Sequence, residues 1–371
     1  MSLTMNQMPM NTTKVAVVLY NLGGPDAPES VRPFLRNLFT DPAILRVPGF
    51  IRPLLGRLIA RLRTKAATAN YAILGGKSPL RELTEAQADA LEARLNAASP
   101  AAEYRCFVAM RYWHPFSTET AGAVRDWGAT EILALPLYPQ FSTTTTGSSI
   151  TAWDEACAAI GLALPTTTLC CWHSDPAFAA ATARLVQEAH DQARATLPPE
   201  VPLRILFSAH GLPETIVKHG DPYQWQVERT VVAVVEHLRI APLDQVICFQ
   251  SRATPQKWIG PSTEAELERA AHDKVAVLVC PIAFVSEHSE TLVELDVEYR
   301  EAAEKLGVPG YFRVPAQNSD AAFIEALVGL VHRARDGARG RLCSYAGARQ
   351  CPKPLGDCPH AKVAARSKEL A

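Results

Sequence analysis

The segment LFSAHGLPETIVKHGDPY, residues Leu206–Tyr223, decides how we interpret the rest of the chain. The apolar run Leu203–Phe207 has the length and composition of a buried strand, and it stops at a turn that contains Gly211 and Pro213. The same turn carries a histidine, His210. A strand that ends in this way presents its imidazole at a sheet edge, where parallel α/β folds bind their ligands.

Short apolar runs alternate with segments of helical periodicity along the chain. This alternation predicts an α/β protein with parallel sheets that carry helices on both faces. The predicted strands are Val15–Tyr20, Arg105–Met110, Ile132–Tyr138, Leu203–Phe207, Gln245–Phe249 and Val275–Phe284. The predicted helices are Ser30–Phe39, Thr84–Asn96, Ser117–Trp127, Asp175–Thr196, Pro222–Arg239, Ser262–Ala271 and Glu287–Leu306.

Length and composition indicate an ordinary globular protein with more than one domain. The 371 residues exceed one typical core, and 48% of them are hydrophobic and 20% charged. A formal net charge of -1 gives no reason to expect a nucleic-acid partner. The start lacks a signal-peptide pattern and no window approaches 18 uninterrupted apolar residues, so we expect a cytoplasmic protein whose cysteines stay reduced.

A ladder of glutamates follows another predicted strand, in the segment FVSEHSETLVELDVEY. Ser286 is a candidate N-cap for a helix that starts near Glu287. Four glutamates then share one helix face, and His288 adds an imidazole; the four are Glu287, Glu290, Glu294 and Glu298. A solvated acidic face is the ordinary explanation, but a position just after an apolar strand favours a site that handles protons and metal.

Other strand ends carry weaker signals. MRYWHP places Arg111 and Tyr112 where a flat anionic ligand would suit them, and capping of the core explains them equally well. The hydroxyl-rich loop Gln140–Ser149 fits either carboxylate binding or the commoner turn before a helix. The segment GGKSPL is no phosphate-binding loop, because Tyr71 stands where that pattern needs its first glycine.

Taken together, these segments resemble the ferrochelatase family, whose members insert Fe2+ into a porphyrin to make haem. The resemblance covers roughly residues 14 to 335, and its motifs follow in the family's order: NLGGP, YAILGGKSPL, MRYWHP, LYPQFSTTTTGSS, LFSAHGLPETIVKHGDPY, FQSRATPQKWIGP and PIAFVSEHSETLVELDVEY. It implies two Rossmann-like domains around a porphyrin cleft. It also implies protoporphyrin IX and Fe2+ as substrates, with no cofactor needed for the chemistry.

The resemblance also assigns residues. His210 corresponds to the family's active-site histidine and Glu290 to its carboxylate partner, and either of the two could hold Fe2+ or take the first proton. Glu287, His288, Glu294 and Glu298 would extend a path for protons or metal. The residues that would face the porphyrin are Leu22, Arg111, Tyr112, Ser148, Trp258 and Phe284.

Two other functions stay open at this stage. One is a chelatase for coproporphyrin or another tetrapyrrole, and the other is a porphyrin or haem carrier without enzymatic activity. A carrier needs an axial ligand but no glutamate ladder, so Glu290 and Glu294 favour the enzyme.

The segment Arg46–Lys65 intersperses apolar residues with arginine, as interfacial amphipathic segments do. A helix that packs its apolar face on the core would explain the pattern as well. The segment resembles the hydrophobic cleft lip of ferrochelatases that use protoporphyrin IX, which disfavours coproporphyrin. We therefore expect peripheral contact with a membrane.

Three of the nine cysteines, Cys343, Cys351 and Cys358, lie close together in a tail rich in Pro and Gly. Some ferrochelatases bind a [2Fe–2S] cluster in this region, so the resemblance implies such a cluster here. A fourth ligand would come from Cys157 or His360, and a zinc site or free thiols are the alternatives.

The expected domain organisation follows from these assignments. Residues 1–13 are predicted to be disordered, 14–172 to form the first domain with its lip at 46–65, and 173–318 to form the second. A helix within 319–340 should pack back, and 341–371 should form the cysteine-containing tail. The sequence leaves open whether the protein is a monomer or a homodimer.

Overall fold

The protein contains two parallel sheets, each flanked by helices. The computed structural model describes residues 13–98, 101–251 and 256–369, with the side chains of the last helix described as far as residue 364. Almost all of the segment predicted to be disordered, residues 1–13, lies outside the described residues.

The first sheet has five strands in the order β2-β1-β3-β4-β9, and all of its neighbouring strands pair in parallel. Its strands are β1 (Thr13–Asn21), β2 (Ala102–Met110), β3 (Glu131–Pro136), β4 (Thr166–Leu169) and β9 (Leu342–Cys343). The helices that connect β1 to β4 are α1 (Val31–Thr40), α2 (Arg52–Ile73), α3 (Leu80–Ala98), α4 (Ser117–Trp127) and α5 (Thr146–Ala159).

The second sheet has four strands in the order β6-β5-β7-β8, again parallel throughout. Its strands are β5 (Leu203–His210), β6 (Gln245–Gln250), β7 (Ala276–Pro281) and β8 (Tyr311–Arg313). Its helices are α6 (Pro176–Thr196), α7 (Glu214–Lys218), α8 (Tyr223–Val235), α9 (Thr263–Asp273), a π-helix (Glu290–Tyr299) and α10 (Arg300–Leu306).

The chain returns to the first sheet after β8. Helix α11 (Ala321–Ala338) buries Phe323, Leu327 and Val331 in the core that contains β1 and β3. Strand β9 then pairs with β4, and α12 (Pro359–Glu369) ends the described chain. No helix within the described ranges is long and apolar enough to cross a bilayer.

The predicted fold class is confirmed, because both sheets are parallel and carry helices between their strands. The sequence missed β4, β8 and β9, which are only two to four residues long. The prediction that Ser286 caps a helix is wrong. The helix begins at Glu290, and the buried Ser286 hydroxyl donates instead to Oε1 of Gln87, at 3.0 Å.

Buried polar side chains join the two sheets. The Gln87 amide of α3 donates to the carbonyls of Val285 and Asn318, both at 2.9 Å. On the other side, the fully buried Asp221 accepts hydrogen bonds from the backbone and hydroxyl of Thr143, both at 2.7 Å. A buried carboxylate lowers the stability of the fold unless its oxygens accept hydrogen bonds, so the contacts of Asp221 are needed for stability. Together with those of Gln87, they hold the carboxyl ends of the two sheets against each other.

Candidate active site

His210 is the last residue of β5, a central strand of the second sheet, and its imidazole faces the carboxylate of Glu290. Nδ1 of His210 lies 2.8 Å from Oε2 of Glu290, the first residue of the π-helix. The side chains are 35% and 26% exposed, so the pair is open to solvent on one side only. A bond at Nδ1 leaves Nε2 as the ring nitrogen directed away from the carboxylate.

The pKa values of the pair shift in opposite directions. Burial alone would lower the pKa of His210, but the charge and hydrogen bond of Glu290 raise it above its ordinary value. Burial alone would raise the pKa of Glu290, but the positive charge of His210 lowers it to about 2. Both shifts favour an imidazolium paired with a carboxylate at the end of β5.

Glu294 lies one turn beyond Glu290, and Ser251 joins the two carboxyl groups. Oγ of Ser251 is 3.4 Å from Oε2 of Glu290 and 2.5 Å from Oε2 of Glu294. Gln250, which pairs with His210 across the ladder, donates to the same Glu294 oxygen at 3.0 Å. Burial and the neighbouring charge of Glu290 raise the pKa of Glu294, so this carboxyl group is the readier of the two to carry a proton.

Glu287 makes no contact with Glu290, Ser251 or Glu294 among its described hydrogen bonds. Its Oε1 lies 2.8 Å from Nη1 of Arg313 and accepts the backbone N–H of Ala316 at 2.9 Å. Arg313 also holds Asp296 in two hydrogen bonds, at 2.8 and 2.7 Å. Burial alone would raise the pKa of Glu287, but the guanidinium keeps it below its ordinary value, and the carboxylate stays ionised as a structural partner.

His288 and Glu298, the remaining residues of the predicted path for protons or metal, lie in different surroundings. Burial lowers the pKa of His288, whose neutral Nδ1 accepts the backbone N–H of Glu290 at 3.1 Å. Glu298 is exposed and accepts from Nδ2 of Asn70 on α2, at 3.2 Å. The glutamate ladder thus divides among three environments, and only Glu290 and Glu294 share a common partner.

The predicted porphyrin-side residues of the first domain form a network around Asp41, which the sequence did not reveal. Oδ2 of Asp41 accepts from the Tyr112 hydroxyl at 2.7 Å and from Oγ of Ser148 at 2.5 Å. Nη2 of Arg111 lies 2.9 Å from the same oxygen. Tyr112 is fully buried and Ser148 is nearly so, and only Arg111 is partly exposed. The first two therefore hold Arg111 in place rather than line an open surface.

Three other predicted substrate contacts differ in their surroundings. Leu22 is half-buried against the core of α1 and α2. Trp258 lies near the histidine, with its ring centroid 6.5 Å from that of His210. The ring of Phe284 meets the ring of His288 edge-on at 4.5 Å. Trp258 and Phe284 therefore border the histidine–glutamate group, whereas Leu22 belongs to the first domain.

The three tail cysteines lie together with two cysteines that the sequence did not single out, Cys170 and Cys171. All five side chains are buried. The ladder between β4 and β9 sets the arrangement, since the N–H of Cys170 donates to the carbonyl of Cys343 at 2.8 Å. The sulfurs of Cys170 and Cys171 are 3.6 Å apart, and Gln226 donates to the sulfur of Cys351 at 3.2 Å. We call these five residues the cysteine group.

Of the two residues considered for the fourth ligand, Cys157 does not lie with the tail cysteines. Cys157 is on α5 and packs in the core that contains Tyr20 and Trp153, apart from the cysteine group. His360 stands two residues after Cys358, and its buried Nε2 has no hydrogen-bond partner. Among the described residues, no three histidine, cysteine or acidic side chains are arranged to hold a single metal ion.

The cysteine group offers thiol donors, which both iron–sulfur clusters and zinc accept. A [2Fe–2S] cluster takes two thiolates at each iron, whereas zinc takes four ligands around one point. Cys351 hydrogen-bonds Cys358, and the sulfur of Cys171 contacts that of Cys170. A negative charge on Cys171 would oppose ionisation of each of the three tail thiols.

Substitution of Glu290 should show how strongly it controls His210. In Glu290→Gln the imidazole loses its anionic partner, so we expect its pKa to fall below the raised value of the parent protein. Histidine NMR titration, with His210→Ala to assign the signal, measures the change. Glu298→Gln is the matched control and should leave the signal unchanged; an unchanged pKa in Glu290→Gln would contradict the ion pair.

Comparison with known proteins connects this geometry to a family. A family model described as ferrochelatase matches residues 14–335. The ferrochelatase of Caulobacter vibrioides strain NA1000 / CB15N is 49% identical over 348 residues, which cover 94% of this chain and 98% of that protein. The ferrochelatase of Hyphomonas neptunium is 48% identical, with 94% and 96% covered, and that of Rickettsia bellii is 40% identical, with 95% and 96% covered.

Solved structures give a weaker match. The sirohydrochlorin chelatase SirB of Bacillus subtilis subspecies spizizenii, in complex with cobalt, aligns with a TM-score of 0.49 and 13% identity over 88% of this chain and 97% of that chain. A likeness of this size does not bear on function. The match over residues 14–335, together with relatives that are nearly half identical along almost their whole length, shows that the chain belongs to the ferrochelatase family.

Proposed function

We propose that this ferrochelatase inserts Fe2+ into protoporphyrin IX and releases two protons, the step that gives protohaem. The observation that carries the proposal is the pair of His210 and Glu290 at the carboxyl end of β5, 2.8 Å apart and open to solvent on one side. An imidazole suits Fe2+ as a ligand and suits a pyrrole N–H as a base.

In this reaction His210 would act through Nε2, since Glu290 occupies Nδ1. Neutral imidazole takes a proton from the porphyrin core, and Glu290 stabilises the imidazolium that results. Because the raised pKa of His210 favours the imidazolium, a proton must leave Nε2 before this nitrogen can accept one from the porphyrin. Trp258 beside His210 and Phe284 beside His288 supply flat surfaces, against which a bent macrocycle would be bound more tightly than a planar one.

The surroundings of Glu290 favour an enzyme over a porphyrin carrier. A carrier gains nothing from two carboxyl groups joined by one serine, and their mutual repulsion costs it stability. An enzyme that removes protons needs such groups next to its base.

His210→Ala should lower the rate of iron insertion by at least about 100-fold, the low end of what a positioned acid–base group contributes. The measurement is anaerobic conversion of protoporphyrin IX to haem with Fe2+, followed in the visible spectrum. Glu290→Gln should also be slow, and His272→Ala, which replaces a histidine whose side chain is 88% exposed, should react like the parent. Porphyrin binding without conversion in the parent protein would favour a carrier.

We further propose that α2 and the turn before it contact a membrane. Apolar side chains three or four residues apart form one exposed stripe, with Leu54 at 72% and Leu62 at 73% exposure; the stripe comprises Phe50, Ile51, Leu54, Leu58 and Leu62. Arg57, Arg61 and Lys65 are exposed beside it. An apolar stripe flanked by cations suits the surface of an anionic bilayer, which is also where protoporphyrin IX would partition.

Replacing Leu54, Leu58 and Leu62 together by serine should weaken binding to anionic lipid vesicles at least about tenfold, or about 1.4 kcal/mol. Cosedimentation with vesicles that contain phosphatidylserine measures the change. The control is Val232→Ser with Leu306→Ser, which alters two exposed apolar residues outside the stripe. Equal binding of all three proteins would exclude α2 as the contact.

We also propose that the cysteine group binds a [2Fe–2S] cluster through Cys343, Cys351 and Cys358, with Cys171 as the fourth ligand. Cys171 is chosen because its negative charge would oppose ionisation of all three tail thiols, whereas Cys157 lies in another core. When bound, the cluster would cross-link the tail to Cys171, two residues after the end of β4. Gln226 would then donate to a cysteine ligand, as it does to Cys351 here.

Cys171→Ser should lose the visible absorption and the acid-labile sulfide of a [2Fe–2S] cluster in protein purified anaerobically. Cys157→Ser is the matched control and should keep both. Retention of the full spectrum in Cys171→Ser, with loss in Cys170→Ser, would assign the fourth position to Cys170 instead. An absence of iron and sulfide from the parent protein would contradict the cluster itself.

A further inference from the structure

A series of polar contacts continues beyond the histidine–glutamate pair and reaches the protein surface. Oε1 of Glu294 lies 3.1 Å from the hydroxyl of Tyr299, and this hydroxyl lies 3.2 Å from Oε1 of Glu264. Tyr299 is 6% exposed, whereas Glu264 is an exposed residue in the first turn of α9. The whole series is His210, Glu290, Ser251, Glu294, Tyr299 and Glu264.

The number of hydrogens in this series determines which of its contacts can be hydrogen bonds at the same time. A hydroxyl group donates one hydrogen, and an ionised carboxylate can only accept. Ser251 and Tyr299 each touch two carboxyl groups, so each can bond both only when one of the two is protonated. The two hydroxyl groups make four contacts with carboxyl groups and supply one hydrogen each, so two further protons are needed to complete all four. A porphyrin core releases two protons when it takes up a metal ion.

We propose that Ser251, Glu294 and Tyr299 relay the protons released at His210 to Glu264, which passes them to bulk water. This inference rests on the proposed ferrochelatase reaction. The imidazolium gives its proton to Glu290, which passes it to the Ser251 oxygen while the Ser251 hydrogen moves to Glu294. Glu294 then protonates the Tyr299 oxygen while the Tyr299 hydrogen moves to Glu264. One proton leaves in each passage and no electrons are exchanged. Rotation of both hydroxyl groups restores the relay, and the imidazole must also lose its Nε2 hydrogen to water and regain one at Nδ1 before it can accept the second porphyrin proton.

The other carboxylates of this region do not offer the same exit. Glu287 is paired with Arg313, whose positive charge opposes a proton there. Glu298 reaches the surface, but its described hydrogen bond goes to Asn70 and not to Glu294. The backbone supports the relay as well, because Ser251 has a φ of 66°, a left-handed conformation that is unusual for serine, and its hydroxyl reaches both carboxyl groups from there.

Single-turnover insertion of Fe2+ into bound protoporphyrin IX, in dilute buffer, tests the relay because it separates the chemistry from product release. Glu264→Gln and Tyr299→Phe should slow this step by about 100-fold, as loss of a positioned proton-transfer group does. Glu264 is on the surface, so its replacement keeps the fold intact even if Tyr299→Phe does not. Glu268→Gln, which changes another exposed glutamate of the same helix α9, is the matched control and should react at the parent rate.

A small diffusible buffer such as imidazole should restore the rate of Glu264→Gln as its concentration rises, and should not affect the parent protein. A merely structural role would not show this dependence, so a slow variant that buffer does not rescue would overturn the relay. Parent rates in both Glu264→Gln and Tyr299→Phe would overturn it too. The His210→Ala variant separates the two proposals. If His210→Ala is inactive while both relay variants react at the parent rate, the proposed function stands and only the relay is rejected.

Discussion

The ion pair between His210 and Glu290 is the interaction on which the site depends. Each partner is partly withdrawn from water, so burial disfavours the charged form of each group when it is alone. Together they keep their charges, and the pair stabilises the fold over a defined pH range. The histidine contribution is complete below the ordinary pKa and is lost as the pH rises through the raised value. The glutamate contribution is present above its ordinary pKa and is lost as the pH falls towards 2.

The surrounding structure serves to place these two groups. Pairing between β5 and β6 sets His210 opposite Gln250, so the next residue, Ser251, lies within reach of both glutamates. On the far side of the π-helix, Arg313 holds Asp296 in a two-pronged contact and anchors Glu287. A lysine could not reproduce this geometry, because its ammonium group lacks the planar fork of the guanidinium. The helix that carries Glu290 is thus held from both sides.

The sequence predicted the strands and the position of His210 better than the side-chain contacts of the site. Alternating apolar runs identified six strands and placed His210 at a strand end, because burial of a parallel sheet leaves a strong local pattern. The glutamate spacing suggested one shared face, but the structure separates Glu287 and Glu298 from the others, since their partners Arg313 and Asn70 come from distant segments. Asp41 and the Cys170–Cys171 pair were missed for the same reason. Ser251 alone had a local signal, since it directly follows an apolar strand.

Helix α2 joins two parts of the molecule that were described separately. Its first half carries the exposed apolar stripe, and its second half contacts the π-helix, where Asn70 bonds Glu298 and Tyr71 bonds Ser289. A continuous helix of 22 residues is about 33 Å long and bends little. If the exposed apolar stripe moved, α2 would tilt as a unit and would displace Ser289, the residue next to Glu290. The segment proposed to contact the membrane is, by its stiffness, therefore coupled mechanically to the groups proposed to react with the porphyrin.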